Sequence, residues 1–232
     1  MSPRPRPSAK SPATRAPPDA AAPSPIGDDR RVDSAADRLV IVPERGLVML
    51  IGPSGAGKST FAGRHFRPSE ILSSDAYRAI VADDESDQRA TPAAFDVLHR
   101  VAGHRLRGGR LSVIDATNLG RSDRRGLLEL AGQARRPAVA IVFDLPVELC
   151  QARNRLRAGR SVAPATVARQ AAHLQRMIEA DVDLRAEGFA ATYRLSDAET
   201  VDGAVVVREP MARPAGAWIS APHPGGRLGR RP

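Results

Sequence analysis

Cysteine, aromatic residues and lysine are all scarce in this sequence of 232 residues. A single cysteine, Cys150, excludes an internal disulfide framework and any multi-cysteine zinc site. Aromatic residues make up 3% of the chain, with one tryptophan and two tyrosines, which leaves few platforms for stacking nucleic-acid bases. Phe95, Phe143 and Phe189 read as core. No apolar run approaches a membrane span, and the N-terminus lacks the apolar stretch of a secretory signal. A soluble, cytoplasmic protein is the expectation. Lysine occurs twice against 33 arginines. Lys10 lies in a Pro-rich tail, but Lys58 stands in a Gly-rich loop, where a compact ammonium suits a phosphate.

What is present describes a globular α/β core with basic ends. Apolar residues are 42% of the chain, and the length suits one sizeable domain. The net charge of +9 favours anionic partners, yet it sits partly in the tails. Residues 1–45 hold +2 and residues 208–232 hold +4, which leaves the middle at +3. Residues 1–37, rich in Pro, Ala, Ser and Arg, are expected to be disordered, as is the Pro/Gly-rich end over 209–232. These tails either hold nucleic acid weakly or are simply solvated. The domain is expected over 38–208.

Within that span strands and helices alternate. Leu39–Val42, Gly46–Ile51, Ile71–Ser74, Leu111–Ile114, Ala138–Phe143, Thr192–Leu195 and Ala204–Val207 are strand candidates. Helices are expected over Ser59–Phe66, from Thr91-Pro92 to Gly108-Gly109, and over Asp123–Arg135, Pro146–Arg157 and Pro164–Met177. Thr91 is the expected N-cap of the second of these. The alternation favours a parallel sheet with helices on both faces, and fold analogy suggests the strand order 2-3-1-4-5.

The loop Gly52-Pro53-Ser54-Gly55-Ala56-Gly57-Lys58-Ser59-Thr60 fits G-x-x-x-x-G-K-[ST]. Its glycines let successive backbone N–H groups turn inward around phosphates. Lys58 would reach the β/γ oxygens, the Ser59 hydroxyl would ligate Mg²⁺, and the next helix adds its N-terminal dipole. A buried strand before the loop and a helix after it argue against a ligand-free turn. ATP and Mg²⁺ are the implied ligands, and the loop alone does not separate ATP from GTP.

A phosphoryl transfer also needs a base beside the attacking hydroxyl and cations around the transferring group, all near the carboxyl ends of the strands. Asp75 and Asp115 meet that demand. Asp75 is expected to be the general base, with a helix N-cap as its alternative or additional role. Arg78, three residues on, would anchor an anionic acceptor. Asp115, in Asp115-Ala116-Thr117-Asn118, either holds a Mg²⁺-bound water or caps a turn. Arg153, Arg157 and Arg160 stand at i, i+4, i+7, so one helix face presents all three, either as a lid over ATP or as a solvated basic helix.

With these residues placed, the middle of the chain resembles the kinase domain of the bacterial polynucleotide 5′-kinase/3′-phosphatase family of end-healing RNA repair enzymes. The likeness runs from about Arg38 to Val207 through LVMLIGPSGAGKSTFAGRHF, EILSSDAYR, VADDESDQ, AAFDVLHRVAGHRL, LSVIDATN, VAIVFDLPVELCQARNRLR and EGFAATYRL. The resemblance implies a P-loop fold, adenylate-kinase-like, with an Arg-bearing lid. It implies transfer of the ATP γ-phosphate to a 5′-hydroxyl end of RNA or DNA. It places the general base at Asp75, the loop lysine and serine at Lys58 and Ser59, an acceptor-side arginine at Arg78, and lid arginines at Arg153 and Arg160. Arg157 fits the same lid, packing on the adenine, and Gln88 is an acceptor contact or part of an acidic surface loop. The family's phosphatase and ligase-like modules have no counterpart after Val207, so a kinase module alone is expected. The alternatives are a kinase for a small metabolite and an ATP-binding module without transfer.

Overall fold

The computed structural model describes residues 30–31, 38–157 and 162–210. Strands are β1 (Arg30–Arg31), β2 (Leu39–Pro43), β3 (Leu47–Ile51), β4 (Ile71–Ser73), β5 (Ser112–Asp115), β6 (Ala138–Phe143), β7 (Ala191–Leu195) and β8 (Val205–Glu209). Helices are α1 (Lys58–His65), α2 (Ser74–Ala82), α3 (Thr91–Arg107), α4 (Arg121–Gln133), α5 (Val147–Arg155), α6 (Pro164–Glu179), α7 (Leu184–Glu187) and α8 (Ala198–Gly203).

The main sheet is parallel, in the order β1-β7-β6-β3-β5-β4. Counted from the strand that enters the phosphate loop, its five longer members run 2-3-1-4-5, as expected. Central strand β3 is fully buried, as a strand covered on both faces must be. Its side chains alternate between two cores. Val48 and Leu50 join Phe61, Ile141 and Phe143 beneath α1, α5 and α8, while Leu47, Met49 and Ile51 join Leu98, Leu127 and Leu174 beneath α3, α4 and α6. Burying a side chain such as Phe61 contributes about 1.5–3 kcal/mol.

Register places the functional strand ends side by side. Leu50 lies opposite Asp115, and Asp115 opposite Ser73. The phosphate loop, the start of α2 and the β5 terminus therefore emerge along one edge.

Several elements differ from the expectation. Thr91 is the first helical residue of α3 rather than its N-cap, which is Ala90. A 3₁₀ turn over Gln88–Ala90 runs straight into the helix, and Asp87 caps that turn by accepting from the Arg89 amide. Helix α2 was not among the expected helices. It follows a three-residue strand, and Ile80 and Val81 are exposed, which blurs its apolar face. The first and last strands of the domain, β2 and β8, form a separate parallel pair from Leu39↔Val205 to Pro43↔Glu209. Within the N-terminal tail, Arg30–Arg31 pair with β7, and 1–29, 32–37 and 211–232 lie outside the described residues. No described helix is long and apolar enough to cross a membrane.

Candidate active site

The phosphate loop is shaped by contacts that only glycine allows. Gly55 has φ +83°, and a Cβ there would stand 2.1 Å from the Cys150 carbonyl oxygen of α5. Gly52, at φ +153°, would place one 2.8 Å from the Phe143 carbonyl. The loop thus rests directly on the backbone of its neighbours. The Gly52 amide donates to Thr117 O at 3.0 Å, and the Ser54 amide donates to Gln170 Oε1 of α6 at 2.9 Å.

Lys58 is buried at the loop's centre and donates to the carbonyls of Gly52 and Pro53, both at 2.8 Å. Burial pulls its pKa down to about 8, while Asp115 opposes that shift and Arg157 adds to it. Asp115 is buried beside it, near the Ser59 side chain. Burial pushes the Asp115 carboxyl above its ordinary value, held back chiefly by Lys58 and then by the Ser59 hydroxyl. The Ser59 hydroxyl and Asp115 carboxylate are hard oxygen donors of the kind Mg²⁺ takes alongside nucleotide phosphates. The donor set therefore fits Mg²⁺–ATP.

Asp75 lies in the first turn of α2, after the N-cap Ser73, and forms an ion pair with Arg78. The Arg78 Nε donates to the Glu85 carbonyl at 2.8 Å, which ties the helix to the segment after it. Asp75, Arg78, Lys58, Ser59, Asp115, Gln88 and Arg157 all line one cavity of about 470 Å³. Helices α3 and α6 complete its wall with Thr91, Phe95, Thr166 and Gln170. Gln88 is exposed at the rim, where its side chain donates to Ser86 O at 3.3 Å.

A second cavity, of about 340 Å³, opens on the other flank of the phosphate loop. Gly55, Gly57, Thr60, Arg64, Val201 and Asp202 line it, together with Arg153 and Arg157. Arg157 thus borders both cavities and Arg153 only the second. Arg160 lies outside the described residues. Asn154 joins α5 to Val162, donating to Val162 O at 2.6 Å and accepting from the Val162 amide at 3.2 Å. Asn118 is buried with φ +50° and donates to Leu50 O at 2.8 Å, so its amide joins strand ends and does not line the cavity.

Gln170, Thr166 and Thr117 were not singled out from the sequence. They are polar residues with no motif, and only the docking of α6 and the loop after β5 brings them to the phosphate site.

Comparison with known proteins bears on the family and the fold. A family model described as an AAA domain matches residues 47–180, more than half of the chain. Among curated proteins, Transcription factor bHLH140 of Arabidopsis thaliana is 32% identical over 161 residues, spanning 68% of this chain but 17% of the plant protein. Among solved structures, the Pnkp1/Rnl/Hen1 RNA repair complex aligns with TM-score 0.52 and 22% identity over 60% of this chain and 47% of the matched one. The APS kinase CysC of Mycobacterium tuberculosis, in complex with AMPPNP and APS, aligns with TM-score 0.42 and 18% identity over 68% of this chain and 91% of that one. The first of these structures supports the fold at that level of identity. The chain belongs to this AAA-domain family and carries its phosphate loop on a parallel α/β fold shared with the RNA repair structure.

Proposed function

We propose that residues 38–208 form an ATP-dependent phosphotransferase acting on the 5′-hydroxyl end of RNA or DNA. The observation that carries this reading is the shared cavity, in which Asp75 and Arg78 face the same space as Lys58, Ser59 and Asp115. The second cavity, across the loop, offers room for the nucleoside of ATP beside Thr60, Arg64 and Val201.

Bound Mg²⁺–ATP supplies the phosphoryl group and the metal's charge on its oxygens. The Asp75 carboxylate takes the proton of the acceptor hydroxyl as its oxygen attacks the γ-phosphorus. The bond from that phosphorus to the β,γ-bridging oxygen breaks, and ADP leaves. Lys58 and the loop amides hold the phosphates in line, and Arg153, Arg157 and Arg160 neutralise charge spreading onto the γ-oxygens. Arg78 holds the base by its ion pair and offers its remaining N–H groups to an acceptor phosphate. The polynucleotide acceptor is supported by the series of matching segments from Arg38 to Val207.

Transfer of labelled phosphate from ATP to 5′-OH oligonucleotides tests this directly, with Asp75→Asn as the variant that retains nucleotide and loses transfer. A wild-type protein that labels no oligonucleotide in Mg²⁺ removes the acceptor assignment. The second reading, a small-metabolite kinase, draws on the cavity's size, which lies within the range of small-molecule pockets, and on Phe95 as its only aromatic wall among the described residues. An acceptor screen in which a small molecule consumes ATP faster than oligonucleotides decides for it. Tight ATP binding without turnover on any acceptor would leave a binding module.

A further inference from the structure

Helix α4 has a second face that the transfer reaction does not use. Between it, α7 and the starts of β6 and β7 runs a groove of about 550 Å³, and Arg121, Arg125, Arg136 and Arg185 line it. Its floor is apolar, with Leu128, Pro137 and Phe189.

The Arg185 guanidinium is the informative group. Its Nε and Nη2 are buried and have no hydrogen-bond partner among the described residues. Buried donors are ordinarily satisfied, and a cationic one most of all. The neighbouring carboxylates are already engaged. Glu187 accepts from Arg124 Nε at 2.8 Å and from its Nη2 at 2.7 Å, and Glu129 accepts from Arg125 Nε at 2.7 Å. Two guanidinium nitrogens of Arg185 are thus unsatisfied at the groove wall, while Glu129 and Glu187, the carboxylates that line it among the described residues, each already accept from another arginine. An anionic ligand with oxygen acceptors completes it.

Its length favours a chain of anions over a single one. Arg121, Arg125, Leu128, Glu129 and Gly132 follow one another along one helix face. At 1.5 Å per residue they extend over about 16 Å, several times the size of one phosphate group. A Cβ added at Gly132 would meet nothing within 4 Å, so the groove stays open there. Arg121 also lies only four residues after Thr117, which lines the acceptor cavity.

We propose that this groove binds the phosphodiester backbone of a single-stranded polynucleotide, gripping the acceptor strand away from its reacting 5′ end. The proposal rests on the polynucleotide acceptor proposed above and adds a site outside the reaction centre. Guanidinium groups take the phosphate oxygens, and the apolar floor accommodates sugars and base edges.

The test uses the full chain without ATP and a 5′-phosphorylated single strand of about 20 nucleotides, longer than the site sizes common for such grooves. Fluorescence anisotropy reads its binding to wild type, to Arg121→Gln and to the double variant Arg121→Gln/Arg185→Gln. About tenfold weaker binding by the double variant is expected, together with a salt dependence shallower by about 0.7 per arginine lost. In the transfer assay the same variants should raise KM for the long acceptor at unchanged kcat and leave a dinucleotide acceptor unaffected. Equal strand binding by all three proteins overturns the proposal, as does an equal loss for long and short acceptors. Displacement of the strand by inorganic pyrophosphate at matched phosphate concentration also overturns it, since that marks a pocket for a small anion. Arg121 is exposed, so its single variant keeps the test open if the double variant does not fold. Should wild type label no oligonucleotide, the acceptor reading fails alone, and the ATP-free binding still decides the groove by whether the strand binds and the arginines matter.

Discussion

The two halves of the candidate site are held by different means. The nucleotide half is backbone: Gly55 against the Cys150 carbonyl, Gly52 against Phe143, and Lys58 on two carbonyls of its own loop. The acceptor half is side chain: Asp75 oriented by Arg78, and Arg78 held by one carbonyl of the following segment. Backbone packing leaves a few shapes, whereas side chains on a helix can be exchanged without disturbing it. The comparison teaches that the proposed nucleotide half is fixed by main-chain contacts, whereas the proposed acceptor half can be altered by exchanging side chains.

The sharpest break of that comparison is Asp75→Asn. Loss of a general base should lower transfer about 10²–10⁴-fold while nucleotide affinity holds, as read by single-turnover assays beside nucleotide titration. A parallel fall in nucleotide affinity would show that the halves are not separate. Next are the arginines assigned to the proposed lid. Arg153→Ala should cut turnover by about two orders of magnitude or more. Arg157→Ala, at the border of both cavities, should also raise KM for the acceptor. Activity that barely changes in Arg153→Ala would identify its helix as a solvated surface.

Gly55→Ala should act on stability first. The left-handed φ alone costs about 1–3 kcal/mol, and the clash with the Cys150 carbonyl adds to it. A lowered Tm with lost nucleotide binding is expected, whereas Arg78→Ala should lose acceptor affinity with a much smaller change in Tm. Equal stability losses would put the two halves on the same footing.

The smallest effect is a pH dependence. Lys58 has a folded pKa of about 8, below its value of 10.5 in the unfolded chain. Between those values the unfolded chain binds more protons, so this group makes stability rise with pH across that window. Below about pH 8 its charge is buried at a cost that the triphosphate offsets. Above it, nucleotide binding should take up a proton, and affinity should fall by up to about tenfold per pH unit. Calorimetry in buffers of different ionisation enthalpy measures that uptake, and Lys58→Met should abolish it.

The groove beside α4 was not legible in the sequence at all. Arg121, Arg125, Arg136 and Arg185 are four among 33 arginines, and nothing in their spacing joins Arg185 to α4. The phosphate loop lies at the other extreme. Its function rests on residues contiguous in the chain, between a strand whose apolar run is unbroken and a helix that begins at Lys58. Asp75 and Asp115 fall between these cases. Their places at strand ends were readable, but their convergence depended on the register of Ser73 and Leu50 with Asp115.

The sequence by itself determined the alternation of strands and helices and the nucleotide loop, because periodicity and a glycine-shaped turn are local properties of the chain. Only the tertiary structure decided which residues face one another across it: Gln170 on the Ser54 amide, Arg157 between two cavities, and two Arg185 guanidinium nitrogens with no hydrogen-bond partner among the described residues. Those contacts join residues far apart in the chain, and their geometry exists only once strand order and helix docking are fixed.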